Sequence, residues 1–480
     1  MNVPIHPAEP TSNRDRETAA TVEPHSLRTY TPTLAVIVRS AGVYHWTAEG
    51  RRLYDFTSGV LVANLGHNPE PWMKRFTKHM GWDHHAAGLP SPAPDGYFSA
   101  QPLNAYNAVT LVDVEASRRL VELLRGRPGG TRMDQVLWAA SGSEAIQKAL
   151  WASLARDRSR DVILATRFGF HGKKGLANAV TGSEADRERD PRVRFVSFPM
   201  DECRDLRLRG APFDPTPYRR ELDALVHQFG RRIGTLITEP YLGGGGSYHP
   251  PAAYLQLLQQ FCRDNDVVFI LDEVQSNFGR TGQMFAYETY GIEPDIVVLG
   301  KGLGNGVPVA AAVGRSDIFA ALDYGEASDT WSANPLCCAG VLATLDEFAA
   351  DDVLANCRRS SAVIEEGLVR LKELPFVAHV RGEQGGMVWG VEIKDHAGRP
   401  AAEWANAAVL ACYRGTGDGI HLLGPLAKKV IRIAPPLTIT VEEAAAAMDL
   451  MYRCLAGLVT NAPARSGAAP SPPLPAGVPA

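Results

Sequence analysis

The chain has 480 residues, of which 45% are hydrophobic and 21% charged, and a formal net charge of −4. Because one hydrophobic core stops growing well below that length, we expect a large domain and at least one smaller one. The slight negative charge gives no argument for nucleic-acid binding or for an anionic membrane surface. Residues 1–25 lack the apolar segment of a signal peptide, and no apolar run approaches the ~20 residues that span a bilayer. Together with seven cysteines that lack C-x-x-C spacing, this predicts a cytoplasmic protein without a zinc site or disulfides.

Strand-like and helix-like segments alternate between two polar ends of the chain. Residues 1–27 are expected to form a flexible arm, and residues 461–480 a disordered tail rich in proline and alanine. Runs that are apolar on both faces predict buried parallel strands at 135–139, 160–165, 192–198, 233–238, 267–271 and 296–299. They predict an α/β large domain with a mostly parallel sheet over residues 96–345. A smaller α/β domain is expected from residues 28–95 and 346–460 together.

Three of these strands end in chemically reactive side chains. Strand 233–238 leads into Glu239, strand 267–271 into Asp272, and strand 296–299 into Lys301 between two glycines. The carboxyl ends of parallel strands meet at the edge of a sheet where ligands bind, so we expect these groups to lie together. Taken singly, each carboxylate could equally be a helix cap.

The sequence "SGSEA" (141–145) predicts an anion site. Ser141 and Glu144 fit a capping box at the start of a helix, and Gly142 allows a close approach to the backbone before Ser143. Free amides at a helix N-terminus bind phosphate groups. A plain capped helix is the alternative for this motif in isolation.

One chemistry needs a lysine, a carboxylate and a phosphate site together, and that is pyridoxal 5'-phosphate (PLP). The aldehyde of PLP forms a Schiff base with a lysine amine, and its pyridine nitrogen pairs with an acid. A lysine at the end of a core strand then has a reason to be there.

The chain resembles the class III aminotransferases, PLP enzymes of fold type I that include ornithine and 4-aminobutyrate aminotransferases. The resemblance rests on blocks in the family's order, which are "SGVLVANLGHNP", "SGSEA", "FHG", "EPYLGGGG", "LDEVQSNFGRTG", "LGKGLGNGVP", "TWSANP" and "IRIAPPLTIT". They cover nearly all of residues 30–455.

The resemblance implies roles for individual residues. Lys301 and Asp272 are implied as catalytic, Lys301 as Schiff-base lysine and proton shuttle and Asp272 as partner of the pyridinium nitrogen. The residues implied to bind the cofactor are Ser141, Gly142, Ser143, Phe170, His171, Glu239, Asp272, Val274, Gln275, Lys301 and Thr330. Of these, Phe170 and Val274 should contact the two ring faces, and Gln275 the phenolic oxygen. Thr330 should reach the phosphate of a neighbouring subunit, which implies a homodimer with shared sites.

The implied reaction is transamination, in which an amino acid or ω-amine donor aminates the cofactor and pyridoxamine phosphate then aminates a 2-oxo acid. Arg432 is similar to the arginine that binds a substrate carboxylate, and Leu61 and Lys173 fall in substrate-lining positions. The alternatives that the motifs leave open are a racemase or epimerase, an aminomutase or a decarboxylase on the same scaffold. A catalytically inactive PLP-binding protein is a more remote alternative.

The departures from the family pattern concern the substrate pocket. Gly244 stands where many members have a glutamate that can neutralise the clamping arginine, and Lys173 stands where several have an arginine. Asn277 occupies a position where glycine is common. These differences predict an unusual pocket without identifying its substrate.

Overall fold

The structure is a computed structural model, and it describes residues 3–83, 96–97, 99–186 and 190–460. The helices are α1 Pro10–Val22, α2 Glu70–Met80, α3 Leu111–Arg125, α4 Gly142–Arg156, α5 Gly175–Ala179, α6 Thr216–Phe229, α7 Ala252–Asp264, α8 Ala286–Tyr290, α9 Ser316–Phe319, α10 Pro335–Ala350, α11 Val353–Arg370, α12 Ala401–Arg414 and α13 Val441–Thr460. The strands are β1 Arg39–Ala41, β2 Tyr44–Trp46, β3 Arg52–Asp55, β4 Gln135–Ala139, β5 Val162–Thr166, β6 Val193–Val196, β7 Ile233–Thr238, β8 Val268–Asp272, β9 Ile296–Leu299, β10 Ala310–Gly314, β11 Val377–Gly382, β12 Trp389–Ile393, β13 Gly419–His421 and β14 Val430–Ile433.

A seven-stranded sheet forms the centre of the molecule, with the strand order β4-β10-β9-β8-β7-β5-β6. The pairs from β6 to β9 are parallel, and β10 runs antiparallel to both of its neighbours. Successive residues of a strand lie on opposite faces of the sheet, and here they pack into two separate groups of buried apolar side chains. Leu271 belongs to one group and Ile270 to the other. The sheet is therefore buried on both faces, which explains its continuous apolar strands. The predicted α/β fold with a mostly parallel sheet is confirmed.

Two smaller sheets lie outside this layer. The order β1-β2-β3-β13 joins residues 39–55 to residues 419–421, and β11-β12-β14 forms an antiparallel sheet. Residues 39–55 and 419–421, far apart in the chain, thus share one sheet. The exact division into domains stays a prediction.

The expectation of a flexible N-terminal arm is wrong for residues 10–22, which form helix α1. The Glu9 carboxylate is buried and binds Arg16 at 2.5 Å and Arg51 at 2.6 Å. Glu49 accepts hydrogen bonds from the Thr11 and Ser12 amides at the start of the helix. These ion pairs and hydrogen bonds fix the segment to the rest of the protein, although it has few apolar residues. The predicted tail, residues 461–480, lies outside the described residues.

Candidate active site

The parallel order of β7, β8 and β9 brings the three predicted strand ends to one edge of the sheet. Lys301 lies two residues beyond the end of β9 and has a φ of 48°, a left-handed conformation that is uncommon for a residue other than glycine. Burial lowers the pKa of the Lys301 amine, and the charge of Arg432 lowers it further, while the charges of Asp272 and Glu239 oppose this shift. A buried lysine with a lowered pKa has the free amine that nucleophilic and proton-transfer chemistry requires.

Asp272 is fixed in orientation by two hydrogen bonds. The Nδ1 atom of His171 lies 2.7 Å from Asp272 Oδ2, and the Val274 amide donates to Oδ1 at 3.0 Å. The His171 side chain is buried, and its Nε2 atom has no partner among the described residues. Asp272 therefore presents a held carboxylate beside Lys301, as an acid partner of a pyridine nitrogen must be.

Glu239 joins two of the quoted blocks through its buried carboxylate. It accepts hydrogen bonds from the Phe170 amide at 3.0 Å and from the Gly243 amide at 3.2 Å. Burial raises the pKa of Glu239 to about 7, and the neighbouring Asp272 charge adds to this shift. Its contacts in the structure are thus to main-chain amides of the segments that surround the site.

The start of α4 has the geometry predicted for an anion site. The Ser141 and Glu144 side chains each bond the backbone of the other, which completes the capping box. Gly142 packs on the Val274 side chain, since a Cβ atom at Gly142 would lie 3.1 Å from Val274 Cγ1. Gly172 packs in the same way on the hydroxyl of Ser143. The backbone at this helix N-terminus is therefore close to the Val274 segment, with first-turn amides that can bind a phosphate.

Val274, Gln275 and Phe170 are arranged by their contacts with glycines. Val274 lies against both Gly142 and Gly300, where added Cβ atoms would stand 3.1 and 3.2 Å from its Cγ1. The Gln275 amide fills the space beside Gly243, and its buried Oε1 atom has no partner among the described residues. These small residues leave room for a flat ring, and the unpaired amide oxygen can accept a hydrogen bond from a hydroxyl on that ring, a group that PLP carries.

Arg432 lies on β14 with its guanidinium buried. Its Nη2 atom donates to the Gly243 carbonyl at 2.7 Å, and its Nε atom has no partner among the described residues. Burial lowers the pKa of Arg432, and the charge of Glu239 opposes this shift. A buried guanidinium with spare donors can bind a carboxylate.

The other predicted site residues divide into buried and exposed ones. Leu61 is fully buried in a cluster with Tyr241, Val388 and Ala434, and it ends a left-handed turn that starts at Ser58. Lys173 and Thr330 are exposed at the surface. The structure therefore brings Leu61 to the neighbourhood of Tyr241, and it leaves Lys173 and Thr330 facing outward.

Sequence reasoning missed several buried polar residues beside the site. Tyr241 stacks on His249 with ring centroids 4.3 Å apart, and Arg280 donates to Asn64, which lies against Gly302 next to Lys301. Tyr241, Asn64 and Arg280 all lie in the quoted blocks. Their position in those blocks, rather than their residue type, could have indicated that they lie at the site.

The fold and the site together define a protein of the PLP-dependent transferase class of fold type I. Residues 101–455 match the family described as "Aminotransferase class-III", and the chain belongs to that family. It is a class III aminotransferase, an enzyme of PLP-dependent transamination.

Curated relatives and solved structures agree with this assignment. The chain is 28% identical to an acetylornithine aminotransferase of Oceanobacillus iheyensis over 87% of its own length and 92% of that protein's. It is 30% identical to a 4-aminobutyrate aminotransferase of Mycobacterium leprae over 88% of this chain and 91% of that one. The structure of an (S)-enantioselective omega-transaminase from Thermomicrobium roseum is similar, with a TM-score of 0.75, 26% identity and coverage of 93% and 98%. An ornithine aminotransferase from Toxoplasma gondii shares the fold, with a TM-score of 0.76, 21% identity and coverage of 93% and 96%.

None of the helices in the described ranges is long and apolar enough to cross a membrane.

Proposed function

We propose that this chain binds PLP at the edge of the sheet where β7, β8 and β9 end. Lys301 would hold the cofactor through its amine, and Asp272 would pair with the pyridine nitrogen. Gly142 and Ser143 would bind the phosphate, with Phe170, Val274 and Gln275 around the ring. The observation that carries this proposal is that Lys301 and the oriented Asp272 carboxylate lie at the same sheet edge, where the Asp272 charge acts on the Lys301 amine.

Bound PLP supplies an electron sink for the charge that develops at the substrate's α-carbon. The protein supplies the proton transfer. Because burial lowers the pKa of Lys301, a larger share of its amine is free to accept a proton near neutral pH. The hydrogen bonds from His171 and Val274 keep the Asp272 carboxylate in one orientation, so it can stabilise the cofactor's positive charge throughout the reaction.

We propose that both the amine donor and the 2-oxo acid acceptor bind through a carboxylate to Arg432. Gly244 has no side chain that could neutralise this arginine, and the guanidinium bonds only the Gly243 carbonyl among the described residues. A buried guanidinium that forms no ion pair among the described residues favours an anionic ligand, so donors that lack a carboxylate should bind less well. Lys173 would contribute at most a flexible charge from the surface.

We infer a cytoplasmic homodimer in which Thr330 reaches the partner subunit's site. Thr330 is exposed and is followed by Trp331, which is 59% exposed. Further large apolar side chains are exposed between residues 97 and 111, namely Tyr97, Leu103, Tyr106, Val109 and Leu111. Exposed apolar residues in this number support a surface that a second copy of the chain covers. The seven cysteines are all free, which fits a reducing compartment.

The test is the visible absorption of the purified protein with PLP, followed while amine donors and then 2-oxo acids are added singly. We expect a band that is absent from Lys301→Ala, that a carboxylate-bearing donor bleaches and that a 2-oxo acid restores. A band that no donor bleaches, with loss of optical activity or of CO₂ from the amino acid, would replace transamination by racemase or decarboxylase chemistry. A Lys301→Ala protein with the same spectrum and turnover would refute the assignment of Lys301.

A further inference from the structure

The main chain at Lys301 is strained and needs partners that hold it. Its φ of 48° is unfavourable for a residue with a side chain, and Asn305, four residues on, has a φ of 44°. The carbonyl before the lysine, that of Gly300, is the point at which this turn leaves β9. A contact to that carbonyl can fix the direction in which the lysine side chain leaves the backbone.

Asn277 provides this contact. Its Nδ2 atom lies 3.1 Å from the Gly300 carbonyl and 3.1 Å from the Val274 carbonyl, and it also bonds the Glu273 carbonyl within its own turn. The side chain is 1% exposed, and its Oδ1 atom has no partner among the described residues. Burying an amide whose oxygen has no hydrogen-bond partner costs free energy. The hydrogen bonds of the Asn277 NH₂ group must offset that cost.

Asn64 supports the same turn from the other side. Its Nδ2 atom donates to the Phe278 carbonyl at 2.8 Å and to the Asn277 carbonyl at 3.2 Å. It also fills the space beside Gly302, where an added Cβ atom would overlap it. Asn64 is thus wedged between the Asn277 segment and the residue that follows Lys301.

Arg280 orients Asn64 and links it to the segment that follows the Arg432 strand. The Arg280 Nε atom donates to Asn64 Oδ1 at 2.9 Å, and its Nη1 atom donates to the Pro435 carbonyl at 2.6 Å. Arg280 is fully buried and has no carboxylate partner among the described residues. Neutral acceptors bind its charge, namely Asn64 Oδ1 and the Pro435 and Met387 carbonyls, so its position depends on these groups.

We propose that Asn277 and Asn64 form an asparagine brace that positions Lys301 for proton transfer. The inference rests on the proposed role of Lys301 and adds two positioning residues to it. Asn277 fixes the carbonyl before the lysine, and Asn64 fixes the glycine after it. Without the brace, the turn relaxes from the left-handed conformation and the amine leaves its place beside Asp272.

The test compares two variants of Asn277 with a matched control. Asn277→Ala removes all three donor contacts, whereas Asn277→Ser keeps a hydroxyl that can bond the Glu273 carbonyl four residues back and cannot reach Gly300. The control is Asn356→Ala, because Asn356 also donates its amide to two carbonyls, those of Leu437 and Ile439 at 2.8 and 3.0 Å. Asn277→Ser keeps the test available if Asn277→Ala does not fold.

The first readout uses the cofactor-free enzyme, in which Lys301 is acetylated by acetic anhydride at a series of pH values and quantified by peptide mass spectrometry. We expect both Asn277 variants to move the midpoint of the labelling profile by about 0.5 pH units or more and Asn356→Ala to leave it in place. In the holoenzyme, kcat should fall about tenfold while KM for the donor stays within about twofold, because the brace acts on proton transfer rather than on binding.

Different results would refute the proposed function and the asparagine brace. If wild-type Lys301 neither labels nor captures PLP, as borohydride trapping would show, the proposed function is refuted and the brace with it. If wild-type Lys301 captures PLP and both folded Asn277 variants keep the wild-type labelling midpoint and kcat, the brace is refuted and the proposed function stands.

Discussion

The Nδ1 atom of His171 lies 2.7 Å from Oδ2 of Asp272, and both side chains are buried at the end of β8. The Val274 amide holds the other carboxylate oxygen. The orientation of the Asp272 carboxylate therefore depends on a residue from the "FHG" block, about a hundred positions earlier in the chain. His171 has no other polar side-chain contact among the described residues that would explain its burial.

We expect His171→Phe to weaken PLP retention by roughly ten- to a hundredfold, because a hydrogen bond to a charged group contributes about 1.5–3 kcal/mol. Cofactor release during dialysis, followed by absorbance, measures this. His227→Gln is the control, since His227 is exposed on α6. Equal retention in His171→Phe and wild type would show that Asp272 does not need this partner.

Arg432→Lys should raise KM for donors that carry a carboxylate and leave KM for other donors nearly unchanged. The lysine keeps a positive charge but loses the planar pair of donors, so we expect KM for an amino acid donor to rise about tenfold with a smaller change in kcat. The measurement is steady-state kinetics with an amino acid and with a primary amine of similar size. KM for the amine should stay within about twofold, since that contact is absent. A parallel rise for both donors would contradict carboxylate binding by Arg432.

Alanine substitutions in the glycine run 243–246 should weaken PLP binding to different degrees. A Cβ atom at Gly244 would stand 3.0 Å from Phe170 Cβ, whereas one at Gly243 would overlap the Gln275 amide. Overpacking of this kind costs about 1–3 kcal/mol, so we expect Gly244→Ala to weaken PLP binding a few-fold and Gly243→Ala by more than about tenfold. Equilibrium dialysis with PLP measures both. Tighter binding in Gly243→Ala than in Gly244→Ala would show that Gln275 is not held beside the cofactor.

The central sheet could be predicted from the sequence because its strands are apolar and β-branched. The strand Ala310–Gly314 was missed, since alanines and a glycine have low strand propensity and only its place between β4 and β9 makes it a strand. Helix α1 was missed for a related reason, because ion pairs such as Glu9–Arg16 hold it rather than an apolar face.

The candidate site, too, could be predicted from the sequence only in part. Lys301, Asp272 and Glu239 follow apolar strands, so their convergence could be predicted from topology. The contacts of Asn277 and Asn64 depend on the path of two loops that pass close to each other, and nothing in their local sequence indicates which carbonyls they meet. Asn277 was noted from the sequence only as a departure from glycine.

The buried His249 and the half-buried His421 predict how stability depends on pH. Burial lowers the pKa of His421 to about 4 and, with the charges of Arg209 and Arg381, that of His249 to about 3. In the unfolded chain a histidine takes up a proton near pH 6.5. The unfolded state therefore binds more protons between about pH 6.5 and 4, and the free energy of unfolding falls as the pH falls through that range.

His421→Gln should remove part of this loss, because glutamine does not titrate. The stability of His421→Gln relative to wild type should improve by about 2 kcal/mol between pH 7.5 and 4.5, whatever the variant costs at pH 7.5. Urea unfolding at the two pH values measures the difference, with His227→Gln, a substitution at an exposed position of α6, as the control. If the difference between His421→Gln and wild type is the same at both pH values, the ring of His421 is protonated equally in the folded and unfolded chains.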